Sequence, residues 1–159
     1  MAVRQGYSGL QIGLHWLIAV LILFNWFTGE GAGEALDRIG EGATDVGTPL
    51  HVPVGVVVFL LVLVRIVVKL LRGGPNPPGE PGSPAVLVAK FGHLVLYVLM
   101  VAVPLGGMAV WFGGMTDMGE VHELAGNALF FIALLHALVA LYHQYVVKDR
   151  LLLRMMRPE

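Results

Sequence analysis

The chain has 159 residues, 57% of them hydrophobic and only 13% charged, with a mean hydropathy of +0.78; that balance excludes an ordinary soluble domain and points to a membrane protein. There is no cysteine, so disulfides, iron–sulfur ligation, Cys-type zinc sites and covalent c-type haem attachment are ruled out. The formal net charge of −1 says little until the charges are assigned to sides, and any redox or metal chemistry must rest on the 6 histidines.

A helix crossing about 30 Å of hydrocarbon needs roughly 20 apolar residues. Four such runs follow one another, from about Leu10 to Thr28, Leu50 to Leu71, Val86 to Phe112 and Val121 to Val147. They predict an all-α membrane protein with a single four-helix domain over residues 1–159. The first run follows a lone Arg4, as in a signal peptide, but no small-x-small cleavage pattern comes after it, and His15 and Asn25 interrupt it; it reads as a retained span. The connections are a Gly/acid-rich loop (Gly29 to Pro49), a Pro/Gly-rich semi-rigid spacer (Gly73 to Pro84) and a short link (Gly113 to Glu120).

Charge then orients the spans. Arg4, Arg65, Lys69, Arg72, Lys90, Lys148, Arg150, Arg154 and Arg157 fall on one side, whereas the first and third connections carry Glu30, Glu34, Asp37, Glu41, Asp45, Asp117 and Glu120 with Arg38 as their one base. The positive-inside rule places both termini in the cytoplasm, as expected for a multi-pass protein of a bacterial inner membrane. Trp26 and Trp111 near the outer ends, and Tyr142 and Tyr145 near the inner end, stand where interfacial aromatics or ordinary packing residues would.

His15, His51, His93, His122, His136 and His143 all fall within a span or at its edge. One intramembrane histidine is as readily a packing residue as a ligand; six across four helices mark a site. At about 100° and 1.5 Å per residue, the step from His122 to His136 returns to within about 40° of one helix face and descends about 21 Å. His143 shares that face, so periodicity leaves His136 and His143 both open, and depth separates them. His136 lies twelve residues before Lys148 and His15 eleven after Arg4, whereas His143 and His93 lie close to Lys148 and Lys90. Depth therefore pairs His15 with His136, His93 with His143 and, on the outer side, His51 with His122. Facing histidines suit the two axial positions of a non-covalent b-type haem, each binding iron through one ring nitrogen while the other donates outward. Gly13, Gly55 and Gly126, beside or one turn from three of these histidines, fit either room for a porphyrin or close helix packing. Arg65, fourteen residues after His51, fits either a haem propionate or a side chain reaching the interface.

The segments GLQIGLHWL, HVPVGVVVFLLVLVRIVVKL, FGHLVLYVLMVAVPLGGM and VHELAGNALFFIALLHALVALYHQYVVKDRLLLRMM resemble the bacterial cytochrome b561 family over nearly the whole chain, with all four helices and their histidines in order. The resemblance implies a four-helix bundle enclosing two b haems, with His15 and His136 as iron ligands of the inner haem and His51 and His122 of the outer. It also implies electron transfer between an outer-face donor and ubiquinone or another quinone. The best-understood relatives oxidise superoxide to O2 and reduce ubiquinone; others are quinone-linked carriers.

The acidic outer connections would repel superoxide and attract a basic periplasmic redox protein, so both donors stand as readings. A haem-free transporter of metal ions or protons using the same histidines is the alternative of a different class, although its acids would be expected within the spans. Membrane lipid is an expected partner and nucleic acid is not. His93, left out of both haem pairs, is a candidate for a quinone site near the inner haem.

Overall fold

The computed structural model describes residues 6–75 and 79–158. Arg4, counted above among the inner charges, lies outside the described residues, as do residues 76–78 of the Pro/Gly-rich spacer. Among the described residues the chain is all-helical: α1 (Gly9–Gly40), α2 (His51–Arg72), α3 (Pro84–Trp111) and α4 (Gly119–Tyr142), the last extended by a π-helical turn, His143–Val147. Short 3-10 turns cover Thr116–Met118 and Leu152–Met155. Four segments are long and apolar enough to cross a membrane, the fourth running from Thr116 to Val147.

The first connection is not the loop expected. α1 runs about nine turns, to Gly40, and its 32 residues span about 48 Å, well beyond about 30 Å of hydrocarbon. The stretch past Thr28 holds no proline and mixes Ala, Glu, Leu and Arg with its glycines, so the helix continues once it has left the apolar layer. It stops where Gly42 takes φ +94°, with Gly42 N–H donating to Ile39 O and Ala43 N–H to Arg38 O. This is the left-handed glycine cap that satisfies the last carbonyls of a helix. At the other end Ser8 and Gln11 form a reciprocal capping box, and the Gln11 amide also donates to Gly73 O at 2.8 Å, tying the start of α1 to the end of α2.

Each helix packs on the next in sequence, and α1 closes the ring on α4. The tight core lies between the first three helices, where Ile18, Val58 and Val62 are buried among Leu21, Ile22, Val54, Met100 and Val101. Most other apolar side chains, such as Leu70, Val88 and Leu124, face outward, as they must where the solvent is lipid. The α1–α4 seam is closed by Trp26, which stacks on Phe130 at 4.0 Å and 11° and donates from Nε1 to Asn127 Oδ1 at 2.9 Å. Trp26 is thus a helix–helix contact as well as an aromatic near a span end. The end of the bundle carrying the first and third connections is called distal below, and the end carrying the termini proximal.

Candidate functional site

Histidines gather at both ends. At the distal end His51, the first residue of α2, meets His122, in the first turn of α4, with ring centroids 5.9 Å apart and planes at 86°. Both rings are anchored through Nδ1. His51 donates to the Asn25 carbonyl of α1 and His122 to the Val103 carbonyl of α3, each at 3.0 Å. A histidine that donates from Nδ1 in its neutral form keeps Nε2 as a lone-pair donor, so both rings are in the tautomer a metal requires.

The surroundings hold these rings closely. The Asn25 side chain donates from Nδ2 to His51 O at 3.2 Å, so that one residue grips both the ring and the main chain of His51. It fits because residue 55 is glycine: a Cβ there would lie 3.2 Å from Asn25 Nδ2. A Cβ on Gly107 would lie 2.8 Å from His122 Cε1, so Gly107 leaves the recess in which that ring sits. It follows Pro104, which cannot donate a backbone hydrogen bond inside α3.

Of the glycines read as room for a porphyrin, Gly55 makes room for Asn25 and Gly126 is in ordinary contact with Val103, while Gly13 borders open space. The recess beside the His122 ring is formed by the PLGGM pair, Gly106 and Gly107. Asn25, Val103 and Gly107, which contact the distal rings, are the neighbours missed from sequence. Only the GG doublet and an Asn inside an apolar run signalled them.

At the proximal end His15 of α1 and His136 of α4 face each other with centroids 6.4 Å apart and planes at 74°. A third ring joins them: His93 of α3 lies 5.1 Å from His136 and donates from Nδ1 to Ala89 O of its own helix at 2.7 Å. The depth pairing of His93 with His143 is therefore corrected. His93 is nine residues into α3, about 13 Å along its axis, and exposed Lys90 has a stem long enough to reach back toward water, so its sequence position understates the depth of its neighbour. His143 instead donates from Nδ1 to Asp149 Oδ2, in a turn shaped by Lys148 and Arg150 at φ 60° and 59°. Burial tends to raise the Asp149 carboxyl, but hydrogen bonds from His143 and the Leu151 amide outweigh it and hold the group below its usual range.

Arg65 turns inward. Its Nε donates to the Tyr97 hydroxyl and its Nη1 to Gln11 O, both at 3.3 Å, leaving further guanidinium donors one turn from His15. Its charge also acts on Tyr7, whose phenol is raised by burial against the opposing pull of Arg65.

The donor set and spacing fit haem. Metal–imidazole bonds of about 2 Å on each side, plus about 1 Å from bonded nitrogen to ring centre, separate two axial ring centres by about 6 Å. The pairs at 5.9 and 6.4 Å match this, and His93–His136 at 5.1 Å falls short.

Comparison with known proteins gives the same direction. The family model described as "Prokaryotic cytochrome b561" matches residues 6–158. The chain is 46% identical to "Cytochrome b562" of Cereibacter sphaeroides, covering 99% of each. It is 33% identical to "Probable superoxide oxidase CybB" of Yersinia pestis, covering 97% of each, and 28% identical to "Cytochrome b561 homolog 1" of Escherichia coli, covering 94% of this chain and 96% of that one.

Proposed function

The chain belongs to the prokaryotic cytochrome b561 family, a family of membrane electron-transfer proteins, and from that premise we propose that it holds two b haems and carries electrons from a donor outside the cell membrane to quinone. The observation that carries this reading is the presence of two histidine pairs at axial spacing on opposite ends of one bundle. Family membership implies haem b, and it replaces the haem-free transporter weighed from sequence.

In this reading His51 and His122 hold the distal haem and His15 and His136 the proximal one, with the distal end outside and both termini in the cytoplasm. Each haem supplies a reversible one-electron couple when bound. The chain fixes the rings through Asn25 O and Val103 O, and its apolar helices keep water from the path between the sites. Arg65, beside the proximal pair, offers its free donors to a propionate. His93, against His136 but too close to share an iron with it, is placed to hydrogen-bond a quinone carbonyl and pass it a proton.

Superoxide is the first donor we assign, with a 33% identical relative named as a probable superoxide oxidase. Two superoxide anions leave as O2, and their two electrons with two cytoplasmic protons convert quinone to quinol. A basic periplasmic redox protein is the second, favoured by Glu30, Glu34 and Asp37 on the helical extension of α1 and by Glu41 and Asp45 just beyond it.

Visible spectra of the purified protein, oxidised and dithionite-reduced, with a haem count per chain, test the core of the proposal. A colourless protein, or one with a single haem, overturns it. Stopped-flow haem reduction across a salt series then separates the donors: screening the acidic surface speeds an anion and slows a basic protein.

A further inference from the structure

The two histidine pairs are held differently, and the difference bears on the direction of electron flow. At the distal pair both rings donate from Nδ1 to backbone carbonyls, Asn25 O and Val103 O, at 3.0 Å. Among the described residues neither ring of the proximal pair, His15 or His136, makes a hydrogen bond. An imidazole whose N–H is drawn toward a carbonyl is a stronger electron donor to its metal and favours the oxidised state.

Charge acts in the same sense. Glu120 and Glu123 flank His122 in sequence, whereas the Arg65 guanidinium lies on Gln11 O, one turn from His15. A nearby anion favours ferric iron, which carries the extra positive charge, and a nearby cation favours ferrous iron.

We infer that the distal site is built for the lower midpoint potential and the proximal site for the higher, and that Asn25 is the positioning residue that sustains this order. Asn25 reaches the distal site through His51 alone. Its backbone carbonyl accepts the ring N–H, and its Nδ2 holds the His51 carbonyl at 3.2 Å. The niche beside Gly55 admits this arrangement. An electron entering at the distal end therefore moves to the proximal site downhill, and its return is uphill. The inference rests on the two-haem reading proposed above and adds a direction to it.

The experiment is a spectroelectrochemical comparison of the wild-type protein with His136→Ala, which keeps the distal pair, and His51→Ala, which keeps the proximal pair. Two components are expected in the wild type, the lower one persisting in His136→Ala and missing from His51→Ala. Asn25→Leu, which removes the Nδ2 hold on His51 O and leaves the backbone carbonyl to keep the ring N–H without it, should loosen the ring bond, move the lower component upward and leave the higher where it is. Glu123→Gln, a surface change that does not threaten folding, should also raise only the lower component. A lower component that tracks with His15 and His136, or equal potentials at the two sites, overturns the inference while the two-haem reading stands. Asn25→Leu and Glu123→Gln that leave both components unmoved overturn the assigned cause. A haem content below two per chain overturns the reading and the inference together.

Discussion

The distal and proximal ends of this bundle present similar pairs of facing histidines in unlike settings. At the distal end each ring is fixed by a carbonyl from a helix other than its own, and Gly107 leaves His122 a recess with no room for a methyl group. The proximal end is looser and more crowded with chemistry, with a third ring, His93, and an inward-turned arginine, Arg65. Ring spacing alone makes the pairs look interchangeable. In the reading proposed above, the distal surroundings hold their rings through backbone carbonyls, and the proximal ones add groups able to pass a proton.

The sharpest break in this comparison comes from removing a ligand. His51→Ala or His122→Ala should abolish the distal low-spin haem and spare the proximal one, and His15→Ala or His136→Ala the reverse, read by haem content and electron paramagnetic resonance. Loss of both haems from every single variant would show that the ends do not act separately.

Next in size is Gly107→Ala. Its Cβ would stand 2.8 Å from a ring that is already held by Val103 O, and overpacking of this kind costs about 1–3 kcal/mol. The distal haem should become partly high-spin or be partly lost on purification, while Gly126→Ala, with only Val103 Cγ1 at 3.9 Å, should leave the spectrum unchanged. Equal spectra for the two variants would remove the recess from the account.

His93→Ala probes the proximal end. Both low-spin haems should remain, because His93 stands too close to His136 to share an iron with it, and quinone reduction should slow. A missing proximal haem would make His93 the ligand, and an unchanged rate would take it out of the quinone site.

The smallest effect lies in the tail beyond α4. Asp149 is held below its usual range by His143 and the Leu151 amide, so its contribution is present in full above the ordinary carboxylate value of about 3.9 and is lost as pH falls through the lowered one. Asp149→Asn, which keeps an acceptor oxygen but loses the carboxylate charge, should speed exchange of the Leu151 amide about fivefold at neutral pH, from about 1 kcal/mol of charge assistance. Wild type and variant should converge at the acid end. Hydrogen-exchange mass spectrometry of the C-terminal peptide checks both.

Much of the architecture was legible in the sequence because membrane helices have few other ways to satisfy their backbones. Apolar length alone marked four spans. The fourteen-residue step from His122 to His136 follows from helix geometry, and the rings at both of its ends do meet partners. Two local readings failed for local reasons: hydropathy ended α1 at Thr28 although helix propensity carried it to Gly40, and Lys90 made His93 look shallower than it is.

What the tertiary structure alone decided is which backbone groups meet the rings. Every residue but proline offers the same N–H and C=O, so nothing in the letters at 25 or 103 marks those carbonyls as acceptors for His51 and His122. Their selection depends on the depth at which α1 lies beside α2 and α3 beside α4, and on glycines at 55 and 107 that allow the approach. Such register between helices is set by packing across the whole bundle, and no short stretch of sequence contains it.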